Sequence, residues 1–306
     1  MTQPKTIIDW LRYRTRAGVP EGLEALRPLY GDIGQHLRLV ELDRGRDGFQ
    51  SACAVQIADM VLGRVDFGGD SQRGWARWNL PGKACEWVKD WDALEAIEAL
   101  PDAEIRRVDV ALTTWKREVT HEAIEAAHSA GRFCSGGRPP AMQTIVSTDP
   151  LAGRTCYVGK RDSDKFFRGY EKGLELAGKM GPLRCTHIDG HAVEDIYRCE
   201  VELKADSRAI PWEVVERRDQ YFAGSYPYLA ELLPGVECDI LLRRPERGPQ
   251  RDLAVALAHC RQQWGDTLFT ALTVYQGDIG AVWERICGEK HSRPLLEAGV
   301  LLVEHD

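Results

Sequence analysis

Two segments with strict two-residue alternation constrain this chain most: EIRRVDVALT at 104–113 and IYRCEVELK at 196–204. In a strand, residues i and i+2 share a face. Val108, Val110 and Leu112 therefore line one side, and Arg107 and Asp109 the other. Likewise Cys199, Val201 and Leu203 oppose Glu200, Glu202 and Lys204. Strands that are apolar on one face and charged on the other need a covered sheet. Further strands are predicted at 6–15, 36–42, 52–67 (with a hairpin), 73–80, 142–147, 154–159 and 165–172. Helical spacing predicts helices at 21–30, at 83–99 through Trp87, Trp91, Leu94 and Ile97, and at 120–130 behind Thr120 as N-cap. After Pro211 the patterns are mostly helical, at 211–222, 226–233, 251–263 and 278–288. The expected class is α+β: a mostly antiparallel sheet core flanked by helices over 1–242, then a small helical C-terminal unit over 243–306. RRPERGPQR at 243–251 is the expected linker.

With 306 residues, 43% of them hydrophobic, the chain can bury a full core without covalent staples. A net charge of −7 excludes a protein that coats nucleic acid by bulk charge, but not a binder with a local basic groove. None of the nine cysteines stands at C-x₂-C spacing, which argues against a zinc ribbon. Several lie in apolar runs and read as reduced core residues. No segment approaches the roughly 18 apolar residues of a membrane span, and the N-terminus lacks the apolar stretch of a signal peptide. The expectation is a cytoplasmic protein with no membrane contact.

The chemistry concentrates in the charged faces. If the two alternating strands pair, Asp109, Glu200 and Glu202 converge. Crowded carboxylates repel unless a cation sits among them, and all-oxygen ligation suits Mg²⁺ or Mn²⁺. Alternation alone also produces a solvated charged face, so both readings stand. Between residues 153 and 184, eight Lys/Arg face four Asp/Glu, a local excess of positive charge in an acidic protein. There Phe166, Arg168, Tyr170 and Lys172 are predicted on one strand face, with a tyrosine hydroxyl between two cations. Cations that stabilise a phenolate make tyrosine a usable nucleophile, and Arg and Lys also position phosphate. The bland alternative is an exposed basic hairpin.

The block YVGKRDSDKFFRGYEKGLE at 157–175, preceded by RVDV at 107–110 and followed by RCEVELK at 198–204, resembles the signature of the replication initiation factor family. That family comprises rolling-circle initiators of plasmids and filamentous phages. The opening IDWLRYRT and the C-terminal RQQWGDTLFTALTVYQGDIGAVWERI also look like the phage branch. The resemblance implies a site-specific DNA strand transferase (nickase) with Tyr170 as nucleophile, forming a 5′-phosphotyrosine and leaving a 3′-OH primer. It implies Asp109, Glu200 and Glu202 as the carboxylates for Mg²⁺ or Mn²⁺, and Arg168 and Lys172 beside the scissile phosphate. Lys160, Arg161 and Lys165, with Arg243 and Arg244 at the entrance to the C-terminal unit, are the candidate DNA contacts. Origin DNA is the expected partner, duplex in recognition and single-stranded in cleavage. No GxxxxGK[ST] motif is present, which leaves strand separation to a host helicase and extension to a polymerase. A homodimer could supply a second tyrosine at termination.

Two other readings compete. H187-IDG-H191 has the wrong spacing for a histidine pair on one strand face and reads as surface histidines. A non-catalytic, sequence-specific DNA-binding regulator could keep the fold and lose the chemistry. Trp87 and Trp91 are expected in the core, while Trp75 and Trp78, close to Arg73 and Arg77, are weaker candidates for stacking on single-stranded DNA.

Overall fold

The alternating segments form strands because each has one apolar face to bury, and the computed structural model stacks them into a single sheet. It describes residues 5–134, 139–149, 152–180, 185–237, 249–292, 295–296, 299 and 301. The strands are β1 (Ile7–Thr15), β2 (Leu37–Leu42), β3 (Ser51–Ile57), β4 (Met60–Phe67), β5 (Ala76–Pro81), β6 (Glu104–Thr114), β7 (Met142–Val146), β8 (Arg154–Val158) and β9 (Lys165–Tyr170), then β10 (His187–Ile188), β11 (His191–Ala192) and β12 (Tyr197–Lys204). Among the described residues, ten of them pair antiparallel in the order β2-β3-β4-β5-β1-β6-β12-β9-β8-β7. β10 and β11 form a separate small hairpin. The fold is α+β.

The two alternating strands lie side by side at the centre. β6 pairs with β12 so that Asp109 faces Glu202 and Val110 faces Val201. Their apolar side joins one core cluster with Leu11, Tyr13, Trp78, Val158 and Phe167. Helices contribute to it: α1 (Val19–Leu26) through Leu23 and Leu26, α4 (His121–Ser129) through Ile124, and α6 (Arg218–Ser225) and α7 (Pro227–Leu232) through Phe222 and Leu229. At Gly22 a Cβ would come within 2.5 Å of the Trp78 ring, so α1 sits on β5 at a distance only glycine allows. Thr120 caps α4 as expected, its Oγ1 accepting from the Ala123 amide at 3.2 Å.

Three expectations are corrected. The predicted helix at 83–99 is broken into α2 (Gly82–Glu86) and α3 (Glu95–Glu98). Between them the amides of Lys89 and Asp90 donate to the Leu29 carbonyl at 2.8 and 3.2 Å. A backbone donor taken by another segment cannot continue a helix. Trp87 is accordingly 39% exposed rather than core. The strand predicted to 172 stops at Tyr170, and α5 (Lys172–Lys179) follows. Lys172 is thus a helix residue and not part of the strand face. In the C-terminal region the helix predicted at 251–263 runs on through Gly265 as α8 (Pro249–Val274), followed by α9 (Ile279–Ile286).

The chain divides into two compact units, Met1–Arg244 and Pro245–Asp306. The second contains α8 and α9. Arg243 and Arg244 lie outside the described residues, as does most of the expected linker. Among the described residues no helix is long and apolar enough to cross a membrane.

Candidate active site

The charged face of β6, β12 and β9 carries the candidate site. Strand pairing arranges it in successive rows: Arg107 opposite Lys204, Asp109 opposite Glu202, Glu200 opposite Arg168, and Arg198 opposite Tyr170. Sequence reading missed one member, Asp9. It occupies an irregularity in the β1–β6 pairing, where Ile8 faces Val110 and Trp10 already faces Asp109. A bulge re-aims a side chain, and Asp9 here meets Arg198 across the intervening β6. A lone acidic residue in the apolar and basic run IIDWLRYRT was the available signal.

Each carboxylate has its own cation. Arg107 grips Asp109 with two hydrogen bonds of 2.8 and 2.6 Å and reaches Glu202 at 3.0 Å. Lys204 pairs with Glu202 at 2.8 Å, Arg168 with Glu200 at 2.7 Å, and Arg198 with Asp9 at 2.8 Å. Arg198 also donates to Thr113 Oγ1 at 2.9 Å. Asp109, Glu200, Glu202 and Arg198 are all buried.

Burial dominates the electrostatics. It pushes the Asp109 carboxyl up to about 7, opposed by Arg107 and reinforced by Glu200 and Glu202. Burial also raises Glu200, against Arg168 and with Asp9. Tyr170 is 8% exposed, with the Arg168 guanidinium 4.6 Å and the Lys172 ammonium 5.5 Å from its ring centre. Burial, then Glu200, raises its hydroxyl, and the two guanidiniums of Arg198 and Arg168 only partly offset this. The expectation that flanking cations would favour the phenolate therefore meets a larger opposing effect.

The donor set suits a hard divalent cation in kind: buried carboxylate oxygens on neighbouring strands. As placed, Arg107 and Arg168 hold those oxygens, and among the described residues no three potential ligands converge on one point. A metal would have to take the place of at least one guanidinium.

The candidate DNA contacts separate. Arg161 is exposed, its guanidinium 4.8 Å from the Tyr157 ring and 5.3 Å from the Phe166 ring. Lys160 is exposed beside it. Lys165 does not share this face: it pairs with Leu203 in register, donates to the Ser225 carbonyl and lies 4.0 Å over the Tyr226 ring. His187 and His191 fall on the β10–β11 hairpin, His191 packing 5.5 Å from the Trp115 ring.

Comparison with known proteins bears on the same segment. The profile of a family described as replication initiation factor matches residues 103–237. No curated protein matches this chain. Among solved structures, a rolling circle replication initiator protein from Geobacillus stearothermophilus is similar at 19% identity, covering 66% of this chain and 75% of that one, with a TM-score of 0.49. The family match supports a role in the initiation of replication. Over residues 103–237, the stretch that holds Asp109, Tyr170, Glu200 and Glu202, the sequence is similar to the replication initiation factors.

Proposed function

We propose that this protein starts rolling-circle replication by nicking and rejoining one strand of its origin DNA, with Tyr170 as nucleophile. The observation that carries the reading is that Tyr170 shares one sheet face with Arg168, Arg198 and Glu200, all inside the segment that matches the family, and with Asp9 from β1. In the proposed step the Tyr170 Oη–phosphorus bond forms and the phosphorus–O3′ bond breaks. The product is a 5′-phosphotyrosine and a free 3′-OH. The phenolic proton passes to the Asp9 carboxylate, whose charge acts on the Tyr170 hydroxyl, and solvent water protonates the departing O3′. Arg168 and Lys172 stand beside the ring to neutralise the charge that builds on the phosphoryl oxygens. Because the covalent link retains the energy of the phosphodiester, joining needs no nucleotide.

Mg²⁺ or Mn²⁺ would be held by Asp109 and Glu200 with Glu202. There it would supply Lewis-acid polarisation of the scissile phosphate. Arg107 and Arg168, freed from those carboxylates, would turn to the phosphates. Origin DNA is the partner, with strand separation and extension left to a host helicase and polymerase. A second protomer would provide the tyrosine for the closing cleavage.

The test is a supercoiled plasmid carrying the cognate origin, incubated with the protein and Mn²⁺ or Mg²⁺. Nicking and a protein–DNA adduct stable to denaturant are expected. Tyr170→Phe should lower adduct formation by at least about a thousandfold, as loss of a covalent nucleophile does. An undiminished adduct in that variant would remove Tyr170 from the role. Specific origin binding by the unaltered protein without any nick would identify a non-catalytic regulator instead.

A further inference from the structure

Arg107 and Lys204 border a second feature on the same sheet face. A cavity of about 250 Å³ opens there, and its cationic lining is Arg12, Arg14, Arg77, Arg106, Arg107 and Lys204. Asp47 and Asp206 are the acidic groups in the lining. Within the lining Asp47 pairs with Arg77 at 2.6 Å and Asp206 with Arg106 at 3.9 Å, while the other carboxylate partners, Asp66, Asp109, Glu104 and Glu202, stand outside it. Arg12 differs from the others. Its Nε donates to Asn79 Oδ1 at 3.0 Å, and it forms no ion pair among the described residues. Arg107 is its register partner on β6, and the nearby charges of Arg107 and Arg77, after burial, lower its pKa. Cations crowded around one cavity are relieved by an anion.

We propose that this cavity grips a backbone phosphate of the DNA strand that Tyr170 is proposed to cleave, as a second anchor remote from the scissile bond. This rests on the proposed function for the identity of the strand. Phosphate fits because guanidinium forks match its oxygens. A strand fits better than a free nucleotide for two reasons. Arg107 and Lys204 belong both to the cavity and to the carboxylate site, so the two are continuous along the face. The aromatic wall offers no platform for a base: Trp75 already carries Arg14 at 4.0 Å and Arg16 at 5.0 Å, and Phe49 carries Arg77 at 4.9 Å. The grip is therefore on the backbone and blind to sequence. From the Tyr170 row to the Lys204 row the strand runs six residues, or about 20 Å at 3.3 Å per residue. Arg12, Arg14 and Arg77 precede the stretch that matches the family, while Arg106, Arg107 and Lys204 lie within it, so the anchor is built from both parts of the sheet.

The experiment measures binding of single-stranded (dT)₈ and (dA)₈ by fluorescence anisotropy against salt, in the full chain carrying Tyr170→Phe and without divalent cation. Arg12→Gln should weaken both oligonucleotides about five- to tenfold and reduce the log–log salt slope by about 0.7, one phosphate contact on a single strand. Arg12→Lys should restore the slope. Arg106→Gln reports on the same cavity should Arg12→Gln fail to fold, and a loss of slope is expected there too. Affinity and slope unchanged in the folded variants would overturn the anchor. So would dTMP binding as tightly as (dT)₈, which would make this a nucleotide site. The two proposals fail separately: a nicking protein whose slope ignores Arg12→Gln loses only the anchor. A protein that nicks no origin but shows the slope change loses only the Tyr170 chemistry.

Discussion

Gly169 sits between Arg168 and Tyr170 and decides how closely the sheet can be covered there. A Cβ at this position would lie 2.8 Å from Ile124 Cδ1, 3.0 Å from Cys156 Sγ and 3.1 Å from Tyr197 Oη. All three belong to the packed side of the sheet, so none can retreat freely. Gly169→Ala should cost about 1–3 kcal/mol by overpacking, read as a lower urea midpoint at unchanged m-value. The neighbouring Tyr170 shows why residue type alone misjudges reactivity. Two flanking cations are visible in the sequence, but the 8% exposure that raises the hydroxyl is not. Asp9 was missed for a related reason: its partner Arg198 is 189 positions away, and only a bulge in β1 points one at the other.

At the scale of elements, period-two alternation located β6 and β12 within a residue or two, because each strand buries one face wherever the rest of the sheet lies. Elements whose backbone donors are claimed from afar were not legible. The break between α2 and α3 depends on the Leu29 carbonyl, some sixty positions earlier in the chain. β9 also illustrates face assignment. Lys165 looked like a DNA contact within a basic block, but in register it falls on the packed side beside Tyr226. Burial, then Arg208, lowers its ammonium to about 8 from the ordinary 10.5. Below pH 8 both folded and unfolded chains hold this proton, and the buried cation costs stability. Between about 8 and 10.5 only the unfolded chain holds it, so Lys165 makes stability rise with pH. Urea midpoints of the wild type and Lys165→Met, compared at pH 7.5 and 10, should therefore move in the wild type's favour at the higher pH. A constant difference would contradict the lowered value.

For the whole molecule, Cys53, Cys85, Cys156 and Cys199 are free thiols in buried positions, and Cys260 and Cys287 are free and exposed. Native labelling with a thiol reagent, mapped by mass spectrometry, should mark Cys260 and Cys287 first and the four buried thiols only in denaturant. The net charge of −7 is distributed rather than uniform: buried carboxylates each matched by a cation at the candidate active site, and cations lining a cavity next to it. By itself the sequence determined the strands with one apolar face, the α+β class, and the residue types of the site, since these follow from local periodicity and composition. Only the tertiary structure decided that Asp9 joins Arg198, that burial outweighs cations at Tyr170, and that Arg12 and Arg77 from the N-terminal strands meet Lys204 from β12. Those outcomes depend on strand order and on depth below the surface, which are set by burying the whole sheet at once and leave no local mark in the chain.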